Sequence, residues 1–261
     1  MSEFHFLLPP NSQINNHWQP LLSELIQAAI DYFGEQLLAV YLLGSIGRGQ
    51  EQIGSSDLDL EWVLDHKATE SEQLWAKELS EQVLSNWPDL LKIDLDLLAL
   101  ETLQAPESKR LRFIFASDGI QLWGQKILSE SETWQAGPEL AWLLNSHFRW
   151  ARSTVLESLH NPTLEEQKNP RHVAECQHWI SKQALRLGLG LAMCKHPVYT
   201  RTVAEMPSLI GSILPELSDL MQSVYASYQS PTNDLESALS FMESLAPLYQ
   251  RAEAQWPKPS E

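Results

Sequence analysis

The sequence predicts two parts of different class: an α/β half, α+β in its arrangement, with a small mixed sheet over residues 1–133, and an all-α helical bundle over residues 134–261. Two observations carry this. Short apolar or alternating runs with strand character, at 37–43, 57–60 and 92–100, all fall in the first half. Past a polar, turn-forming stretch at 129–132 and Gly137-Pro138, strand signals stop and helical periodicity takes over. The strands are too few and their connections too mixed for a large doubly wound sheet, so helices are expected behind a small one.

Taken in order, residues 18–33 place Leu21, Leu22, Leu25, Ile26, Ala29, Ile30 and Phe33 on one helical face, with Gly34 as the stop. The unbroken apolar run from Leu37 to Leu43, bounded by Gly34 and Gly44, has the pattern of a short buried strand. A turn follows, Gly44-Ser45-Ile46-Gly47-Arg48-Gly49, and then the alternating Asp57-Leu58-Asp59-Leu60. Residues 69–86 read as a polar, acid-rich helix ended before Pro88, and Lys92-Ile93-Asp94-Leu95-Asp96-Leu97 alternates as a half-buried strand. In the second half, 139–160, 171–194, 208–229 and 234–254 carry helical periodicity, and Thr202 with Glu205 forms a capping-box pattern. The N-terminal dozen residues and 256–261 read as loose ends.

Composition bounds the function. At 261 residues, 43% hydrophobic and 20% charged, the chain is long enough for two ordinary domains, each with its own core. No apolar run approaches the roughly 20 residues of a membrane span, and Met1-Ser2-Glu3-Phe4-His5 lacks the basic start of a signal peptide. Cys176 and Cys194 show no framework of paired spacings, so the expectation is core thiols in a reducing cytoplasm. A net charge of -16 disfavours a nucleic-acid backbone, which calls for a basic stripe, and favours cationic partners such as polyamines or aminoglycosides.

The chemistry gathers at the glycine turn and the two acidic strands. Gly44 lets the backbone approach a ligand closely, Ser45 offers a hydroxyl and an N–H to a polyphosphate, and Arg48 supplies a charged fork. Strand residues two apart share a face at about 6–7 Å, so Asp57 and Asp59 aim both carboxylates at one point. Carboxylates held this way suit Mg²⁺, a hard ion completed by phosphate and water, and two such ions about 3.5–4 Å apart clamp an in-line phosphoryl displacement. A second ion needs a further carboxylate, and Asp94 and Asp96 both stand on one face of the next acidic strand.

A Gly-Ser turn, then Asp-x-Asp, then an apolar-Asp-apolar strand resembles the DNA polymerase β-like nucleotidyltransferase superfamily. There the third carboxylate follows the first apolar residue of its strand, which implies Asp94 here, in Ile93-Asp94-Leu95, with Asp96 as the fallback. The stretch from Ser108 through Arg110, Arg112 and Ser117-Asp118-Gly119-Ile120-Gln121-Leu122-Trp123-Gly124 looks like the end of the catalytic domain in minimal nucleotidyltransferases. The helical half resembles that of aminoglycoside 3″-adenylyltransferases through Gln183-Ala184-Leu185-Arg186, Lys195-His196-Pro197-Val198-Tyr199-Thr200-Arg201 and Val203-Ala204-Glu205. By that likeness Arg201 and Arg186 hold ATP phosphates. Two features depart from it: the loop Gly47-Arg48-Gly49-Gln50-Glu51-Gln52 is closer to minimal nucleotidyltransferases and to uridylyltransferases acting on regulatory proteins, and Trp62 interrupts the usual strand.

The resemblance implies a Mg²⁺-dependent enzyme, with ATP as donor and a small, cationic acceptor such as an aminoglycoside. Metal would sit on Asp57, Asp59 and Asp94, and Gly44, Ser45, Arg48, Arg186 and Arg201 would hold the nucleotide. A protein-modifying nucleotidyltransferase and a regulatory nucleotide-binding module are the competing readings. Two smaller patterns stand apart. His172 and Cys176 are an i,i+4 pair suited to zinc, but His178 lies about 200° around the helix from Cys176. Arg171 with His178 resembles the Arg…His pair of small helical ribonucleases. The resemblance to the adenylyltransferases also implies that Trp142, Glu139 and Asn145 lie near a cleft between the halves, where acceptor contacts are expected.

Overall fold

The computed structural model describes residues 14–51, 53–54, 56–128 and 134–256. The extreme N-terminus, the polar stretch 129–132 and the residues 257–261 of the tail, each singled out above, lie outside the described residues. The chain divides into two compact units, Met1–Glu132 and Thr133–Glu261.

The first unit runs α1 (Gln19–Phe33), β1 (Leu37–Leu43), α2 (Gly44–Gly47), β2 (Asp57–Leu64), α3 (Glu70–Leu84), β3 (Lys92–Ala99), α4 (Leu100–Gln104), α5 (Lys109–Asp118) and β4 (Ile120–Gly124). Its strands form one mixed sheet in the order β3-β2-β1-β4, antiparallel except for the parallel pair β2 and β3. The parallel pair follows from the connection: α3 carries the chain back to the starting edge, as a parallel crossover requires. α3 opens on a reciprocal capping box, Thr69 with Glu72.

Alternation along β2 sorts its side chains between two faces. Leu58, Leu60, Trp62 and Leu64 join Val40, Leu42 and Ile93 in a buried cluster with Leu21, Leu22, Leu25, Ile26 and Phe33 of α1 and Ala76 and Val83 of α3. Trp62 is fully buried there beside Phe33 and Trp75. Its indole lies on the apolar face of β2, and the strand runs through it unbroken. The opposite face is split. Ala39, Tyr41, Leu43 and Val63 pack with Leu103 and Phe115, while the start of β2 and β3 on that face carries carboxylates.

The second unit is all helical: α6 (Pro138–Asn145), α7 (Phe148–His160), α8 (Leu164–Lys168), α9 (His172–Met193), α10 (Met206–Ile213), α11 (Ser218–Gln229), α12 (Leu235–Ser244) and α13 (Ala246–Gln255). α9 runs through its centre and packs against α6, α7, α10, α11, α12 and α13. Ile180, Ala184, Leu185, Leu187, Leu191 and Ala192 of α9 are buried, and the C-terminal half of this helix is apolar nearly all round. Three of the expected long helices are each broken in two, near His147, Leu214 and Leu245. At the second break Leu214 leaves helical geometry just before Pro215, the restriction a proline places on its predecessor. The capping box expected at Thr202 and Glu205 does not form: Thr202 makes no side-chain cap, and Glu205 instead accepts from the Thr200 hydroxyl at 2.6 Å. The turn there is 3₁₀, whose tighter winding places that carboxylate elsewhere.

Candidate active site

Register brings the carboxylates together. Across the parallel pair Asp57 stands opposite Lys92, Asp59 opposite Asp94 and Glu61 opposite Asp96, all on the face left uncovered by α1 and α3. The antiparallel register sets Leu43, the last residue of β1, beside Asp59, so the turn that follows begins directly over that carboxylate. Gly44 has φ +77°, and a Cβ built on it would collide with Asp59 Oδ2. Only glycine fits both the left-handed backbone and the close approach.

The turn is closed by its own hydrogen bonds. Gln50 N donates to the Ser45 carbonyl at 2.9 Å, and the Ser45 hydroxyl donates to Ser56 Oγ at 3.3 Å, tying the turn to the entrance of β2. Arg48 points its guanidinium at Asp118, with Nη1 2.6 and 2.7 Å from the two carboxylate oxygens, and its Nε donates to Gln50 Oε1 at 3.2 Å. Trp18 Nε1 donates to Glu51 Oε1 at 3.3 Å, which fastens the outer part of the loop to the segment before α1.

On the carboxylate face, Lys92 Nζ lies 2.5 Å from Asp94 Oδ1. That hydrogen bond, with the charges of Asp94, Asp57 and Asp96, holds the Lys92 ammonium above its usual range. Burial, then the charges of Asp96 and Asp59, pushes the Glu61 carboxyl up to about 8, so it is largely protonated at neutral pH. Burial and the neighbouring Asp94 likewise raise Asp96, with Lys92 opposing. Desolvation dominates at both, because the helix pair α4 and α5 covers the inner part of this face.

Asp57, Asp59 and Asp94 thus share one face beside Gly44 and Ser45, and Asp96 lies one step further in. The donor set, hard carboxylate oxygens next to a glycine turn, has the chemistry of a Mg²⁺ site. Among the described residues, however, no three His, Cys, Asp or Glu are gathered closely enough to hold an ion. The Asp94 carboxylate is turned to Lys92, and ion binding at all three residues requires that pair to part.

Arg186 and Arg201 belong to the second unit. Arg186 is a half-buried residue of α9, and Arg201 precedes the 3₁₀ turn, with its Nη1 3.5 Å from the Tyr199 hydroxyl. Of the residues expected to face an acceptor, Asn145 is buried and donates to the Ala141 carbonyl at 2.9 Å, an interior contact of α6, whereas Trp142 is exposed.

His172 Nε2 and Cys176 Sγ are 3.9 Å apart and both meet Ser158. His178 lies elsewhere: its Nδ1–H donates to the Tyr228 carbonyl at 2.9 Å and its ring stacks on Tyr228. Burial raises the Cys176 thiol, which leaves it a poor ligand and nucleophile. The zinc pattern therefore finds no third ligand gathered with His172 and Cys176 among the described residues.

Asp118, Glu61 and Lys92 of this site had no role in the expectations from sequence. Asp118 lies 70 residues from Arg48, and no local pattern links them. Glu61 extends the Asp57, Asp59 alternation by one step, a signal that was present in the spacing.

No family model matches the sequence, and no curated protein matches it either. Among solved structures, the fold is like that of the spectinomycin adenyltransferase AAD(9) from Enterococcus faecialis, a structure with ATP and spectinomycin. The match covers 90% of this chain and 98% of that one, at a TM-score of 0.55 and 11% identity. A toxin-antitoxin structure with AMP-PNP matches 52% of this chain and 90% of that one at 19% identity, with a TM-score of 0.29 that is too low to argue from. The likeness is one of fold, and it spans both the mixed-sheet unit and the helical one.

Proposed function

We propose that this protein is a nucleotidyltransferase that moves AMP from ATP to a hydroxyl of a small cationic acceptor, of the aminoglycoside kind, with release of pyrophosphate. The observation that carries this reading is the register: Asp57, Asp59 and Asp94 on one sheet face, with Gly44 packed directly against Asp59. The ATP and spectinomycin of the AAD(9) structure support the choice of donor and acceptor class.

Asp57, Asp59 and Asp94 would hold Mg²⁺, which when bound neutralises phosphate charge and polarises the phosphoryl oxygens. Ser45 and the neighbouring backbone hold the phosphate chain, with Arg48 at the end of the turn. A carboxylate oxygen of Asp94, freed from Lys92, takes the proton of the acceptor hydroxyl as it attacks the α-phosphorus. The bond to the bridging oxygen breaks and pyrophosphate leaves. Arg186 and Arg201, of the second unit, are the proposed ligands of the departing charge. A cytoplasmic setting, where ATP is supplied, fits two free cysteines and a chain whose described helices are none of them long and apolar enough to cross a membrane.

Pyrophosphate release with Mg²⁺, each nucleoside triphosphate in turn, and a panel of aminoglycosides and polyamines tests the reading. Acceptor-dependent release with ATP is expected, and Asp57→Asn should abolish it, by about 10³-fold or more, while the circular dichroism spectrum stays unchanged. A variant with full activity would remove the metal assignment. Triphosphate binding without release under any small acceptor would turn the reading toward a protein acceptor or a regulatory module.

A further inference from the structure

We infer that Asp118 is a positioning residue of the phosphate-binding turn, one that sets nucleotide affinity by orienting Arg48 and the Gly44 amide. The inference rests on the nucleotidyltransferase reading above. Asp118 closes α5, and its carboxylate is 1% exposed. Oδ1 and Oδ2 accept from Arg48 Nη1 at 2.6 and 2.7 Å, and Oδ2 also accepts from Gly44 N at 3.4 Å. One carboxylate thereby grips the first residue of the turn and the last side chain of it.

Stability alone does not account for an aspartate there. The C-terminus of a helix carries partial negative charge, no basic residue stands in the last turn of α5, and burial removes the solvent that would shield a carboxylate. A neutral side chain would avoid all three penalties. The compensating charge comes from Arg48 on the glycine turn, in a geometry that leaves the guanidinium oriented but not consumed. Its Nη1 and Nε are engaged, and among the described residues Nη2 makes no hydrogen bond. A planar fork fixed on one side by a carboxylate presents its remaining N–H groups in one direction, which is the preorganisation that anion binding needs.

The local sequence serves the same placement. Gly119 follows immediately, where a Cβ would sit 2.5 Å from the Phe115 carbonyl, so the chain turns sharply off α5 into β4. β4 pairs with β1, whose end becomes the glycine turn. Asp118 is thus delivered beside the turn by the sheet itself.

The test uses the full chain and three variants: Asp118→Asn, Arg48→Gln and the double variant. Affinity for Mg²⁺ with a non-hydrolysable ATP analogue is measured by calorimetry, KM and kcat by pyrophosphate release, and folding by thermal melting. Asp118→Asn should raise the nucleotide Kd and KM by about tenfold and change kcat by less than about threefold, since the residue touches no reacting atom. Because Asp118 acts through Arg48, the double variant should bind no more weakly than Arg48→Gln alone. Unchanged nucleotide affinity in Asp118→Asn, or losses in kcat and affinity that merely track a reduced folded fraction, would overturn the inference. Should the single variant fail to fold, the double variant, free of an unmatched charge, replaces it, and wild-type affinity there is equally fatal. Wild-type protein that binds no nucleotide defeats the nucleotidyltransferase reading and this inference with it, and that control is read before any variant.

Discussion

Gly44 carries the tightest steric constraint in the site. Its φ of +77° lies where an L side chain is strained, and the space a Cβ would need is filled by Asp59 Oδ2. Gly44→Ala should cost about 1–2 kcal/mol from the backbone alone and should displace Asp59 as well. Urea denaturation reads the first effect and pyrophosphate release the second; unchanged values for both would show that the turn does not press on the carboxylate. A different residue contributes to acid stability. Glu166 accepts from the Ser158 hydroxyl and from Thr163 N, each at 2.6 Å, and the Ser158 bond is the first cause holding its carboxyl down from 4.5 to about 2. The unfolded chain therefore takes up this proton first as pH falls, so the stabilisation is complete above about 4.5 and is lost as pH approaches about 2. Glu166→Gln should be less stable than the wild type at pH 6, and the gap should close as the pH is lowered through that window in a series of urea melts.

Elements in this molecule are held by caps and by apolar faces in different proportion. α3 is polar along most of its length and buries only Ala76 and Val83, so its capping box matters more than it would on a deeply packed helix. Thr69 N donates to Glu72 Oε2 at 2.6 Å, and Glu72 N donates to Thr69 Oγ1 at 3.3 Å. Thr69→Ala should cost about 1 kcal/mol by urea denaturation, with no change in pyrophosphate release, because the cap stands far along the chain from the carboxylate ends of β2 and β3. β2 depends on packing instead. Trp62 is fully buried among Phe33 and Trp75, and its indole N–H has no hydrogen-bond partner among the described residues. Trp62→Phe keeps most of the apolar contact and removes an unsatisfied donor, and should cost less than Trp62→Ala, for which about 3–5 kcal/mol is expected.

At the scale of the whole chain, a net charge of -16 is the dominant electrostatic fact. Self-repulsion on this scale is relieved by salt: between about 10 mM and about 100 mM the Debye length falls from about 30 Å to about 10 Å. The melting temperature should rise over that range, while the KM for a cationic acceptor should rise too, as the attraction that draws it in is screened. A neutral acceptor would lack the second effect, so the salt dependence of KM also reports acceptor charge.

What the sequence by itself determined is local and periodic. The limits of β1, the alternation that puts Asp57 with Asp59 and Asp94 with Asp96, and the change from mixed sheet to helices all follow from spacings of two or of three to four residues and from glycine punctuation, which act between near neighbours. Helix breaks were harder, since 139–160, 208–229 and 234–254 keep their apolar period across Ser146, Leu214 and Leu245 even where the backbone bends. Only the tertiary structure decided which charges meet. It set Lys92 on Asp94, aligned Asp59 with Asp94 through parallel pairing, raised Glu61 by burial, and placed Asp118 on Arg48. Those outcomes depend on strand register and on desolvation, and neither is a property of any short stretch of chain: the first is chosen by how separate segments pair, and the second by what the rest of the fold lays over them.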